Sequence, residues 1–235
     1  MKVPDDIILT IRPKHPRPVK LSDPGSDFSP EELEAIIRKR DADLTDTDLI
    51  CIFQGVLPAG KYDEAVYFLP LALERICGSD DDGATTLCEN LLQWVGEQKS
   101  SLEADALHDR LLTFFDDLFA ELVSEFTLDG DYPKNGDRAT TIVEALNSVP
   151  GFDKRGDRLL QTHFGGAKNY EQSAWLIYFW ADRLWGRQRN SGYLQTLADD
   201  QALLQKAYDA IIAEVTENEK LLTFWDRILT SCGIG

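Results

Sequence analysis

The sequence predicts an all-α fold, a compact assembly of about nine helices in one domain or two closely packed halves. Apolar residues recur at helical spacing along most of the 235-residue chain. Short runs rich in glycine, proline and aspartate separate these stretches and are typical of turns. Hydrophobic residues make up 43% of the chain, which is enough to bury a substantial core.

Residues 1–28 are predicted to form an N-terminal arm. The prolines at positions 13, 16, 18 and 24 disfavour regular helix in this region. Four basic residues lie between Arg12 and Lys20, which leads to the hypothesis that the arm covers part of an acidic body. The apolar residues compatible with one short N-terminal strand are Ile7, Ile8, Leu9 and Ile11.

An acidic helical half is predicted over residues 29–128. Its first helix begins at Ser29, because serine caps free backbone N–H groups and the following Pro30 suits the first helical turn. Thr45 or Asp46 is expected to cap a second helix that ends near Phe53. The remaining helices predicted in this half span 61–77 with a break at Pro70, 84–96 and 102–126.

The loop over residues 129–137 is the predicted boundary, and a second helical half follows over 138–235. Its predicted helices span 138–148, 153–163, 169–187, 199–217 and 219–230. The segment 169–187 is apolar nearly all round, so it is expected to be the central buried helix. The aromatic residues of that segment interpreted as core, rather than as the lining of a ligand pocket, are Trp175, Tyr178, Phe179, Trp180 and Trp185.

Charge is the strongest global signal in the sequence. The chain has 24 basic and 41 acidic residues, a formal net charge of -17. Residues 21–137 contain eight basic and 27 acidic residues, so the whole acidic excess of the chain lies there. Such a segment repels phosphate backbones and anionic membranes, and it favours a basic protein partner. The plain alternative is that the acidic residues keep the protein soluble.

The cysteines and the apolar stretches indicate a cytoplasmic protein. Cys51, Cys77, Cys88 and Cys232 form no CxxC pair and no cluster with zinc-ligand spacing. The first residues contain no apolar run of signal-peptide length, and no stretch reaches the length of a membrane span. These features predict a reducing compartment and no transmembrane helix.

No motif in the sequence predicts a catalysed reaction or a bound cofactor or metal. In the loop that starts at Asp129, a calcium site would need glycine at position six and glutamate at position twelve. Lys134 and Thr140 stand there instead. No HExxH pair, phosphate-binding loop or GxSxG motif is present. We therefore predict that the protein is not an enzyme.

Two other interpretations stay open beside the leading one. The first is an enzyme of unrecognised family with a small polar site near His163, because imidazole titrates close to neutral pH. Asp157, Arg158 and Lys168 would complete that site. The second is a helical scaffold domain without a separate active surface.

The leading interpretation is a non-enzymatic, acidic protein-binding module. Its most concrete form is an immunity protein or antitoxin that neutralises a basic toxin or effector by occlusion, which needs no catalytic motif. Two acidic clusters flank the apolar stretches at 49–53 and 61–77 and are the predicted partner-binding residues. They are Asp41, Asp43, Asp46, Asp48, Asp80, Asp81 and Asp82.

Overall fold

The computed structural model describes residues 1–22, 28–54, 61–78, 82–197, 199–215 and 218–232. Over these residues the predicted all-α fold is confirmed. The strands found in them form one antiparallel hairpin, β1 (Leu128–Asp129) with β2 (Tyr132–Pro133). These ranges contain more α-helices than the nine predicted, because short breaks divide some stretches and a further helix precedes the first one predicted.

The chain divides into two compact units. Unit 1 comprises Met1–Leu118 and Val149–Gly151, and unit 2 comprises Phe119–Ser148 and Phe152–Gly235. The first change of unit, after Leu118, lies N-terminal to the loop at 129–137 that the sequence predicts as the boundary between the halves. Unit 1 contains 12 basic and 24 acidic side chains, whereas unit 2 contains 12 and 17. Most of the negative charge therefore belongs to unit 1.

Unit 1 is built from short helices and two 3-10 turns, at Asp41–Asp43 and Val66–Phe68. Helices α3 (Asp46–Phe53), α5 (Leu69–Gly78) and α6 (Asp82–Glu97) pack on one another, and the rings of Phe53 and Trp94 meet edge to face at 5.1 Å. The α-helices that begin in this unit are α1 (Asp5–Lys14), α2 (Pro30–Arg38), α3 (Asp46–Phe53), α4 (Tyr62–Ala65), α5 (Leu69–Gly78), α6 (Asp82–Glu97), α7 (Lys99–Ala104) and α8 (His108–Leu122).

The predicted N-terminal strand is wrong, because residues 5–14 form helix α1. Ile7 and Ile11 are four residues apart, so a helix places both on one face, and both are fully buried. Asp5 and Asp6 lie in the first turn, where the helix dipole favours negative charge. Pro13 falls in the last turn and does not prevent the helix from forming.

The predicted helix over 102–126 is divided in two by a left-handed residue. Ala106 has φ 58°, and it follows Asp105, the residue that caps the end of α7. The amide of Leu107 donates to the carbonyl of Leu102 at 2.8 Å, and the amide of Ala106 donates to Glu103 at 3.0 Å. This pair of hydrogen bonds is the Schellman motif, which usually has glycine at the left-handed position. An alanine there gives no sequence signal for a helix end.

The helix caps that the sequence predicts at Ser29 and Thr45 are present. The side chain of Ser29 accepts from the amide of Glu32, and Glu32 accepts from the amide of Ser29. Thr45 caps α3 in the same reciprocal way. The break near Pro70 is a 3-10 turn at 66–68, after which Pro70 is the second residue of α5. Proline is tolerated there because an amide in the first turn has no partner within the helix.

Unit 2 is organised around one helix, α11 (Tyr170–Leu184), as the sequence predicts. Ten of the fifteen residues of α11 are buried. Four other helices of this unit pack against it: α10 (Arg155–Phe164), α12 (Gly192–Leu197), α13 (Gln201–Val215) and α14 (Glu219–Cys232). The α-helices of unit 2 after the hairpin are α9 (Gly136–Ser148), α10 (Arg155–Phe164), α11 (Tyr170–Leu184), α12 (Gly192–Leu197), α13 (Gln201–Val215) and α14 (Glu219–Cys232).

The aromatic core of unit 2 is confirmed except at one position. Trp175 and Phe179 are fully buried, and Phe126 stacks on Trp225 with ring centroids 5.2 Å apart. Trp185, which the sequence assigned to the same core, is 51% exposed. It is the capping residue just after α11, and at that position the chain leaves the helix axis.

Candidate functional site

A groove of about 320 Å³ in unit 1 brings part of the first acidic cluster together with apolar side chains. Leu44 and Leu49 are buried in its floor, and Leu71 is half-buried. The residues that line it are Asp41, Ala42, Leu44, Leu49, Leu71, Glu74, Arg75 and Gly78. They come from the 3-10 turn at 41–43, from α3 and from α5, so the fold gathers three segments that are separate in sequence.

Asp41 lies at this groove, and its carboxylate is engaged by the N-terminal segment. Arg12 donates to it at 3.4 Å, Arg17 makes a second ion pair, and the hydroxyl of Tyr67 donates at 2.8 Å. The guanidinium of Arg12 lies 4.5 Å from the centroid of the Tyr67 ring, within cation–π distance. The hypothesis that the basic segment covers acidic residues is therefore confirmed at Asp41.

Asp43 and Asp46 are also paired within the chain. Arg40 donates two hydrogen bonds to Asp43, at 2.7 and 2.9 Å, and this contact lowers the pKa of the Asp43 carboxyl. Arg75 lies 3.4 Å from Asp46. Both carboxylates are partly exposed, so their ion pairs contribute little to stability.

Asp48 is a structural residue, because its side chain is only 10% exposed and its oxygens are bound internally. It completes the capping box of α3 with Thr45 and accepts from the ammonium of Lys39 at 2.7 Å. Burial by itself raises its pKa, but the hydrogen bonds from Lys39 and Thr45 outweigh burial and hold the pKa below its usual value. The Asp48 carboxylate is therefore not accessible for binding a partner.

The second predicted cluster is described only in part. Asp80 and Asp81 lie outside the described residues, and Asp82 is the exposed first residue of α6. Gly78, just ahead of this cluster in sequence, lines the groove.

Glu74 is the acidic residue of the groove that sequence reasoning missed. It is exposed on α5, and it forms no ion pair with any residue that the structure describes. Its charge is therefore available to a partner, unlike that of Asp41 or Asp48. The sequence signal for it is weak, because one glutamate within the helical run at 61–77 looks like an ordinary solvated position.

The polar residues proposed around His163 have separate partners. Asp157 accepts from the hydroxyl of Ser191 at 2.6 Å and from the amide of Gly192 at 2.9 Å. Arg158 donates to the carbonyl of Asp153, and the ring of His163 meets Phe119 edge to face at 5.5 Å. Over the described residues, no group of three or more His, Cys, Asp or Glu side chains is arranged to hold a metal ion.

A partly buried network near the end of α1 was also not predicted from the sequence. Asp105 accepts from the hydroxyl of Tyr62 at 2.7 Å, and its other contact is with His15 Nε2 at 2.8 Å. Burial raises the pKa of Tyr62 and the Asp105 carboxylate raises it further. Lys14 adds an ion pair to Asp105 at 3.4 Å. The network fixes the basic N-terminal segment to the body of unit 1.

Unit 2 holds a buried carboxylate of its own. Asp182 on α11 is 1% exposed, and one of its oxygens lies 3.4 Å from Arg187. Arg187 also pairs with Asp137 at 3.3 Å, so it joins the end of α11 to the first turn of α9. Burial raises the pKa of Asp182 to about 6, although Arg187 opposes the shift.

The geometry defines an all-α protein whose first unit has a leucine-lined groove with an acidic rim. No helix in the described ranges has both the length and the apolar character needed to cross a membrane. Comparisons with models of known families, with curated proteins and with solved structures found no match to this chain.

Proposed function

We propose that this chain is a non-enzymatic protein-binding module and that the groove of unit 1 binds a basic protein. The observation that supports the proposal most directly is Glu74, an exposed acid beside apolar side chains that forms no ion pair with the described residues, in a unit with twice as many acidic as basic residues. Interfaces combine an apolar centre with a polar rim, and complementary charge speeds encounter and selects the partner.

The N-terminal segment illustrates how basic groups fit this surface. Arg12 and Arg17 reach the same carboxylate from a segment far from it in sequence, and both guanidinium groups lie over the Tyr67 ring. A basic partner would make the same kinds of contact with Glu74 and with the partly exposed Asp43 and Asp46. Its apolar side chains would contact Leu71.

The specific form we propose is an immunity protein or antitoxin that blocks a basic toxin or effector by covering its active surface. Occlusion requires affinity and shape and no reaction, which agrees with the absence of a catalytic motif from the sequence. A high net negative charge suits a basic target and disfavours nucleic acid as the ligand.

Affinity capture from the native cell lysate at low and at high salt tests this function. We expect one basic protein to be recovered at low salt and largely lost at high salt, because salt screens surface charge. Replacing Asp80, Asp81 and Asp82 together by asparagine should weaken the recovery. If no specific basic partner is recovered at either salt concentration, the proposed function is wrong and a scaffold role becomes the better account.

A further inference from the structure

At the end of α11, unit 2 presents a surface that combines exposed apolar residues with positive charge, whereas the groove of unit 1 is acidic. Leu184 is 46% exposed and Trp185 is 51% exposed, which is unusual in a unit with a well-buried aromatic core. Three arginines, Arg183, Arg187 and Arg189, occur within the same seven residues, which contain no acidic residue. We refer to residues 183–189 as the Trp185 surface.

Hydrogen bonds hold the backbone of the Trp185 surface at the end of α11. Gly186 has φ 98°; its amide donates to Arg183, and the amide of Arg187 donates to Asp182, which together make a Schellman motif. Gln188 donates from its side chain to the carbonyl of Thr140 at 2.7 Å. The backbone that carries Trp185 is therefore hydrogen-bonded in place, so docking of a partner would not have to order that backbone.

The arginines of this surface differ in whether they are paired with acidic side chains. Arg187 is paired with Asp137 and Asp182 and holds the segment in place. Arg183 and Arg189 form no ion pair with the described residues, and Arg189 is exposed. Lys154 extends the positive charge, because its ammonium group donates to the carbonyl of Asn190 at 3.2 Å.

We propose that the Trp185 surface is a second docking site, which binds an acidic protein segment. Exposed apolar patches on soluble proteins mark interaction sites, and tryptophan and arginine are the residues that most often dominate binding energy there. Leu184 and Trp185 would contact apolar side chains of the segment, and Arg189 would pair with its carboxylates. A protein segment with spaced carboxylates fits better than nucleic acid, because the phosphate backbone carries a denser negative charge, which the net charge of -17 repels more strongly.

Fluorescence provides a direct test with the full chain. Trp94, Trp175, Trp180 and Trp225 are at most 7% exposed, so quenching by iodide reports mainly on Trp185. A synthetic peptide of glutamate with interspersed leucine and phenylalanine is titrated in, and fluorescence anisotropy of a label on the peptide gives the affinity. We expect saturable binding together with protection of Trp185 from iodide.

Variants distinguish binding at this surface from non-specific charge attraction to the chain. Trp185→Ala and Arg189→Glu should each weaken peptide binding by about tenfold or more, whereas the matched charge reversal Lys220→Glu, at an exposed position on α14, should not. A peptide with lysine in place of glutamate should not bind. The proposal is overturned if the acidic peptide does not bind, if the variants bind it equally well, or if a DNA oligonucleotide or phosphatidylserine vesicles bind this surface more tightly than the peptide does.

Discussion

The ammonium group of Lys39 lies 2.7 Å from each carboxylate oxygen of Asp48. One of those oxygens also accepts from the amide and the hydroxyl of Thr45 at the start of α3. A residue that the acidic pattern suggests for partner binding is thus the point where the end of α2 and the start of α3 are joined.

Replacing Asp48 by alanine should lower the free energy of unfolding by about 2 kcal/mol, because α3 loses its capping box and Lys39 loses its partner. Urea denaturation measures the loss. Since the pKa of Asp48 is lowered in the folded state, its contribution is present at neutral pH and disappears as pH falls through that lowered pKa. Asp43→Ala is the matched control and should leave the urea midpoint nearly unchanged, so an equal loss in both variants would contradict this role.

Asp182 should make unit 2 less stable as pH rises. Its folded pKa, about 6, is above the value in an unfolded chain, so its contribution is complete below the unfolded pKa and is lost as pH rises through about 6. Asparagine mimics the protonated side chain. The stability of wild type relative to Asp182→Asn should therefore fall by roughly 2–3 kcal/mol between pH 4 and pH 7, as measured by urea denaturation. A difference that does not change with pH would show that Asp182 does not titrate in this range.

Ala106→Gly should stabilise the protein. A left-handed conformation costs alanine roughly 1–2 kcal/mol, whereas glycine adopts it freely and loses somewhat more chain entropy on folding. We expect a gain of about 1 kcal/mol. Ala104→Gly, at the last residue of α7, is the matched control and should destabilise by about 0.5–1 kcal/mol. Thermal and urea denaturation of both variants would reveal the opposite signs, and a loss in both would contradict the Schellman assignment.

Gly156 should not tolerate a side chain. A Cβ at this position would lie 2.5 Å from the carbonyl oxygen of Val143, so α9 and α10 would have to separate. Gly156→Ala should therefore cost about 2–3 kcal/mol. Gly78→Ala is the control, because no atom of the described residues lies within 4 Å of the Cβ it would add. Unfolding midpoints that fall equally in the two variants would mean that the close approach at Gly156 is not limiting.

The sequence was a good guide where the signal is local. The cap at Ser29 and the buried helix around Phe179 depend on neighbouring residues, and both are present. The partners of the acidic residues were not predictable, because they come from distant positions. Arg12 is 29 residues from Asp41, and His15 is 90 residues from Asp105. Net charge along the sequence therefore overstates how many carboxylates are available to a partner.

Two misassignments have different physical causes. At α1 the prediction gave the prolines more weight than the four-residue spacing of Ile7 and Ile11. Burial of the face that carries these two residues is what stabilises the helix. At Trp185 the helical pattern continued into a residue that lies past the helix end. Tertiary packing decides the first case, whereas the local helix end at Gly186 decides the second.

The central claim, that the groove of unit 1 binds a basic protein, is tested most directly by calorimetric titration of the captured partner into two charge-reversal variants. Glu74→Lys changes the exposed glutamate of the groove, and Glu214→Lys changes an exposed acid on α13 of unit 2. We predict that Glu74→Lys weakens binding by about tenfold or more, because like charges then face one another, and that Glu214→Lys binds like wild type. Equal affinities for Glu74→Lys and wild type would contradict the claim.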